Sequence, residues 1–288
     1  MAVMERREFL KLAGGAAIGS AGFLSSGAKT GLHAAETSAQ GTTDRAVPST
    51  WDAPGSHKVT DVEFGGLRAR LTQPARPNGA GILIAPSYTG VSASTDEVGN
   101  WLADSGFTSV VWDPFSAYDP NIDATERRLL TSGPITDTMA RDEQVKWLDF
   151  MESELGMRSL GTVGTCMGGR MSMLLAADSR IKAVSAHFPS LRPAHYAWEL
   201  EVTDELKDVQ AALQIHYPME DTVTPYQRII DTRPVFEARP TSQPTMINVY
   251  PGAHHGYLGL APSKEPVDLQ ATLVAWPATI ALLRATLL

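Results

Sequence analysis

Short apolar runs, each closed by a turn-forming residue, alternate along the chain with longer stretches of helical periodicity. Ala80 to Ala85 (AGILIA) is apolar throughout, and Thr108 to Trp112, Ile181 to His187, Ala211 to His216 and Met246 to Tyr250 are rich in apolar and β-branched residues without strict alternation. Runs of this kind mark strands covered on both faces. Between them the spacing predicts helices from a cap at Ser94 or Thr95 through Ala103, over Thr138 to Leu155, over Gly169 to Ala177, and over Val267 to Leu287 with a kink at Pro277. A helix over Tyr226 to Glu237 is expected to break at Pro234. Strand and helix in alternation predict an α/β fold with a mostly parallel sheet and helices on both faces.

The flanks refine this picture. His57 to Glu63 and Leu67 to Leu71 read as a hairpin turning at Gly65-Gly66, followed by a loop over Thr72 to Gly79. Residues 115 to 137 are polar and irregular, with a short helix expected over Ala124 to Leu130, and form a candidate wall or lid. Pro193 to Val209 reads as a polar helical excursion. Residues 36 to 56 are rich in Ser, Thr, Gly and Ala and read as a linker or extended arm, leaving one domain over 57 to 288.

Composition then removes several classes of function. The 288-residue chain is 43% hydrophobic with a formal charge of −8 and no basic cluster beyond its N-terminus, which argues against a nucleic-acid partner. One cysteine excludes an intramolecular disulfide and Cys-rich metal sites, and neither a phosphate loop nor a dinucleotide fingerprint is present. No metal or organic cofactor is expected. The first 35 residues carry Arg6-Arg7 followed by Phe9-Leu10-Lys11 and a weakly apolar stretch too short and glycine-rich for a stable membrane span. This segment resembles a twin-arginine signal peptide, which implies export of the folded protein to the periplasm, with the export machinery as its partner. Small residues suited to cleavage stand at Ala28, Ala34 and Ala35. Loss of residues 1 to 35 removes four basic and two acidic residues and takes the formal charge from −8 to −10.

The single cysteine sits where chemistry is easiest to build. Leu160 to Gly164 reads as a strand, Gly169 onward as a helix, and Gly164-Thr165-Cys166-Met167-Gly168 as the turn between them. Gly-x-Cys-x-Gly has the form of a nucleophile elbow with thiol in place of hydroxyl. A Cβ at 164 or 168 would collide with the crossing strand and helix. The turn aims the Met167 N–H and a helix N-terminus at the sulfur, which favours thiolate. A buried structural cysteine is the plain alternative.

A thiol nucleophile needs a base, and the base needs an orienting group. In an open parallel sheet these groups gather at the carboxyl ends of strands. Asp221 follows the strand Ala211 to His216, with Glu220 as its neighbour and rival. His254 and His255 follow the last strand in a loop between Gly252 and Gly256. The chain order is then nucleophile, acid, histidine.

Together, G-T-C-M-G-G at 164 to 169, E-D-T-V-T-P at 220 to 225 and Y-P-G-A-H-H-G-Y at 250 to 257 resemble the dienelactone hydrolase family over about residues 57 to 288. The resemblance implies the α/β-hydrolase fold and a cysteine hydrolase of small ester or lactone bonds. It implies Cys166 as nucleophile, Asp221 as acid and His255 rather than His254 as base, with the N–H groups of Met167 and Tyr88 as the oxyanion hole. Two departures stand out. Ser87 occupies the place where the enzyme that names the family has a Glu near the resting thiol. Tyr257-Leu258-Gly259 follows the histidine where that enzyme has an Arg for its substrate carboxylate. Arg127 and Arg128 could supply charge from the lid, although a solvated helix face is the simpler reading. A neutral ester or lactone fits these departures better than dienelactone. The competing function is a periplasmic binding or accessory protein on a hydrolase scaffold. Asp113, His187, His195 and His216 read as structural, and the six tryptophans as core or pocket wall.

Overall fold

A computed structural model describes residues 55–191, 197–239 and 244–288. The predicted signal peptide and all of the linker except Gly55 and Ser56 lie outside these residues, as does His195. Eight strands form one sheet in the order β1-β2-β4-β3-β5-β6-β7-β8. They are β1 (His57–Phe64), β2 (Leu67–Pro74), β3 (Ala80–Ala85), β4 (Thr108–Trp112), β5 (Ser159–Thr165), β6 (Ile181–His187), β7 (Ala212–Glu220) and β8 (Thr245–His254). β2 is antiparallel to both β1 and β4, and every pairing from β4 through β8 is parallel.

The helices are α1 (Ala93–Asp104), α2 (Ala124–Thr131), α3 (Asp137–Ser153), α4 (Met167–Leu175), α5 (Val202–Glu205), α6 (Tyr226–Glu237) and α7 (Pro266–Leu287). The continuous apolarity of β3 has the expected cause. Leu83 and Ala85 enter a core with Trp147, Met171 and Leu174 of α3 and α4. Ile82 and Ile84 enter the opposite core with Leu102, Trp276 and Leu283 of α1 and α7. Each fully buried aliphatic side chain contributes roughly 1.5–3 kcal/mol, so both cores hold the helices to the two faces of the sheet. α7 is long and apolar enough to cross a membrane, but its apolarity serves this second core, where Ala275 and Leu283 are fully buried.

The structure lengthens three strands and mends one helix. β2 continues to Pro74 because His57 pairs with Pro74 across the hairpin. β7 continues to Glu220 and β8 to His254, past Pro218 and Pro251. The register shifts between Pro218 and Glu220, so β7 bends around its missing N–H and resumes pairing at Glu220 opposite His254. Asp221 and His255 are therefore the first residues beyond two neighbouring strand ends. α6 runs unbroken through Pro234. The excursion expected over Pro193 to Val209 contains only the four-residue α5 among its described residues.

Candidate active site

The turn from β5 into α4 places Cys166 in the left-handed region at φ 56° and ψ −119°. A non-glycine residue there stores on the order of 1–3 kcal/mol and must be held by its surroundings. Two glycines make the holding possible. A Cβ on Gly164 would lie 2.1 Å from the Gly168 carbonyl oxygen, and one on Gly168 would lie 1.9 Å from the Ala85 oxygen. The Cys166 N–H donates to His187 O at 3.1 Å, and the Ser190 N–H donates to Cys166 O at 3.0 Å, fixing the elbow to the end of β6.

α4 is anchored from below. Arg170 donates to Asp137 at 2.9 and 2.7 Å through Nε and Nη2, and both side chains are within 1% of full burial. The Leu200 N–H also donates to Asp137 at 3.1 Å, and the Arg170 guanidinium stacks on Trp198, 5.4 Å from the ring centre.

The three loops bring Cys166, Asp221 and His255 together. His255 Nδ1 and Asp221 Oδ2 are 2.8 Å apart, and the Asp221 side chain is fully buried. Asp221 Oδ1 accepts from the N–H groups of Val223 and Thr224 at 2.7 and 2.9 Å, which keeps this carboxylate aimed at the ring. The rivals point elsewhere. Glu220 is exposed, and His254 is half exposed and pairs with Asp268 at 3.3 Å. Phe188, itself at φ 37°, meets the His255 ring edge-on with ring centres 5.0 Å apart.

His255 and Cys166 are electrostatically coupled. Burial alone would favour neutral imidazole, but the hydrogen bond to Asp221 and the neighbouring sulfur raise it to about 9. Burial alone would push the thiol up. The His255 imidazole, the Ser190 hydroxyl and the Met167 N–H more than offset this and leave it below its usual range. Both shifts favour a thiolate–imidazolium pair. The sulfur lies 3.5 Å from Ser190 Oγ, while His255 Nε2 is buried and makes no hydrogen bond of normal geometry.

A cavity of about 860 Å³ opens over the sulfur. Ile84, Val98, Val163, Phe188, Trp198 and Leu258 supply its apolar wall, and Tyr88 and Met167 border it beside Cys166. Its size and lining suit a small, largely apolar molecule. Among the described residues, no group of three or more His, Cys, Asp or Glu is arranged to hold a metal ion.

Three features were not legible in the sequence or differ from its reading. Arg128 is exposed, as a helix face would be, and Arg127 is half-buried, but both have partners. Arg127 donates to Thr89 O at 2.6 Å, and Arg128 donates to the Tyr88 hydroxyl at 2.9 Å while stacking over its ring. They fasten α2 to the loop after β3. Ser87 pairs with Thr89 at 2.8 Å rather than with the sulfur, whose hydroxyl partner is Ser190. His187 and His216 are opposite each other on β6 and β7, stacked 4.3 Å apart and fully buried. Their outer nitrogens meet the hydroxyls of Tyr257 at 2.9 Å and Tyr250 at 2.7 Å, and both inner nitrogens meet Thr279 Oγ1. Burial holds both rings neutral, His187 down at about 3.

A strained residue between a central parallel strand and its helix, facing a carboxylate and a histidine from later strand ends, defines an α/β-hydrolase. Residues 67–287 match the profile of the dienelactone hydrolase family, and the chain belongs to it. The chain is accordingly a hydrolase. No curated protein sequence matches it. Among solved structures it is similar to a dienelactone hydrolase from Anabaena variabilis ATCC 29413, at 18% identity and a TM-score of 0.59 over 82% of this chain and all of that one. A dienelactone hydrolase-like promiscuous phosphotriesterase from metagenomic libraries is 16% identical, with a TM-score of 0.62 over 81% of this chain and 99% of that one. A cold-adapted esterase from an Arctic intertidal metagenomic library is 20% identical, with a TM-score of 0.54 over 79% of this chain and 95% of that one. At these identities the likeness is one of fold.

Proposed function

We propose that the protein hydrolyses small ester or lactone bonds through a thioester on Cys166. The observation that carries this reading is the Asp221–His255 bond of 2.8 Å beside a sulfur whose surroundings favour thiolate. The thiolate attacks the substrate carbonyl carbon, and its electron pair moves onto the carbonyl oxygen. The N–H groups of Met167 and Tyr88 receive that oxyanion, each donor typically lowering the barrier by about 3 kcal/mol. As the tetrahedral intermediate collapses, the ester C–O bond breaks and the leaving oxygen takes the proton from His255 Nε2. Neutral His255 then removes a proton from water, which attacks the thioester and expels the thiolate. Asp221 keeps the ring oriented throughout and balances the imidazolium charge.

Three observations support a neutral substrate. The wall is mostly apolar, Arg128 is engaged with Tyr88, and Lys264 donates to the Gly256 carbonyl. The test is turnover of short aryl esters and small lactones by purified mature protein. Cys166→Ala is expected to lose at least about 10³-fold in kcat while keeping its far-UV circular dichroism. Unchanged turnover in that variant refutes the mechanism. The signal-like N-terminus supports a periplasmic site of action for the same chemistry.

A further inference from the structure

Two side chains face the sulfur at different closeness. Its hydroxyl partner at 3.5 Å is Ser190, whereas the base nitrogen facing the same space is buried without a hydrogen bond of normal geometry. We propose that the Ser190 hydroxyl is a second standing hydrogen-bond donor to the resting Cys166 thiolate, beside the His255 imidazolium whose Nε2–H goes on to the leaving group. This inference rests on the cysteine mechanism above and names a residue that the mechanism did not yet use.

The direction of the bond follows from proton counting. A thiolate can only accept, and a serine hydroxyl has one proton to give. Ser190 is buried, and its backbone N–H is already committed to Cys166 O. Its position is set by the acid loop. Thr224 Oγ1 donates to Pro189 O at 2.9 Å and accepts from the Leu191 N–H at 3.0 Å, so the residues on either side of Ser190 are both fixed. The Thr224 N–H in turn binds Asp221. One buried threonine thus positions the donor to the nucleophile and the carboxylate behind the base. During attack the S–C bond forms at the expense of the O–H···S contact, and the Ser190 proton stays on its oxygen throughout.

The test is the rate of Cys166 carbamidomethylation by iodoacetamide against pH, followed by mass spectrometry of the mature protein. Ser190→Ala is expected to move the midpoint of thiolate formation up by about one pH unit, which is tenfold less thiolate below both midpoints. Ser190→Thr, which keeps the hydroxyl, is expected to restore it. The acid limb of kcat/KM should move with the alkylation midpoint, while KM stays within twofold. Ser190→Gly provides the same deletion if the alanine variant fails to fold. A midpoint that coincides with the parent in the folded deletion variant, with Cys166 still selectively alkylated and required for turnover, overturns the role of Ser190 alone. If Cys166 in the parent protein is inert to iodoacetamide, or Cys166→Ala retains full turnover, the cysteine mechanism fails and the inference falls with it.

Discussion

Removing the Asp137 carboxylate should be among the most damaging single changes outside the proposed catalytic loops. Arg170 is 1% exposed and Asp137 is fully buried, and two charge-assisted bonds of 2.9 and 2.7 Å join them. In Asp137→Ala the guanidinium stays buried without its counter-charge, and the Leu200 N–H loses its acceptor. Breaking one side of a buried pair costs about 3–5 kcal/mol, most of it the penalty of the charge left behind. For a domain of this size each kcal/mol shifts the melting temperature by about 2–4 °C, so a fall of roughly 10 °C is expected by differential scanning calorimetry. The double change Asp137→Leu with Arg170→Met buries no charge and should recover at least half of that loss. Because Arg170 stacks on Trp198 in the pocket wall, the single variant should also lose turnover below its melting range. Additive losses in the single variants Asp137→Leu and Arg170→Met, with a coupling under about 0.5 kcal/mol to the double, would refute the argument that the pair acts as a unit.

Gly168→Ala forces a Cβ to within 1.9 Å of the Ala85 carbonyl oxygen, a backbone atom that cannot swing aside. A loss of more than about 3 kcal/mol by urea unfolding is expected, and a variant as stable as the parent would show that the elbow packs differently. His187 and His216 stay neutral in the fold, while in the unfolded chain they charge near pH 6.5. Their contribution to stability is complete above pH 6.5 and is lost as pH falls toward about 3 for His187. The limiting slope is about 2.7 kcal/mol per pH unit for the two, so roughly 3–4 kcal/mol should disappear between pH 7 and pH 5 in urea titrations. A flat profile over that interval would show that the two rings take up protons in place. Arg6→Lys combined with Arg7→Lys should leave the protein in the cytoplasm of an exporting host, read by fractionation; undiminished periplasmic protein would show another route.

Why some of this was legible in the sequence and some was not follows from the range of each interaction. The elbow is a local affair of five residues, and β3 declares both of its buried faces in six. The loops that carry Glu220-Asp221 and His254-His255 were legible because strand ends are marked by local turn residues, and the family resemblance singled out Asp221 and His255 within them. The true ends of β7 and β8 were hidden by Pro218 and Pro251, which local rules read as stops, although a register shift lets β7 absorb its proline. Ser190 carries no local mark at all: its closeness to the sulfur depends on β6 lying beside β5. The His187–His216 stack is likewise a matter of cross-strand register, and each ring alone looked like an ordinary core histidine. Arg127 and Arg128 have the spacing of a surface helix, and only the fold back onto Tyr88 and Thr89 gives them partners.

The histidine of this site hangs from the outermost strand of the sheet. β8 pairs with β7 alone among the described strands, and most of its residues are only half-buried. An outer strand has half the lateral support of an inner one, so it detaches at lower free energy than the global transition requires. Cys166, the proposed nucleophile, is by contrast rooted at the end of β5, which lies between β3 and β6. On the proposed mechanism, warming should therefore silence the protein by unseating His255 while the body of the sheet is still intact, and cooling should bring it back.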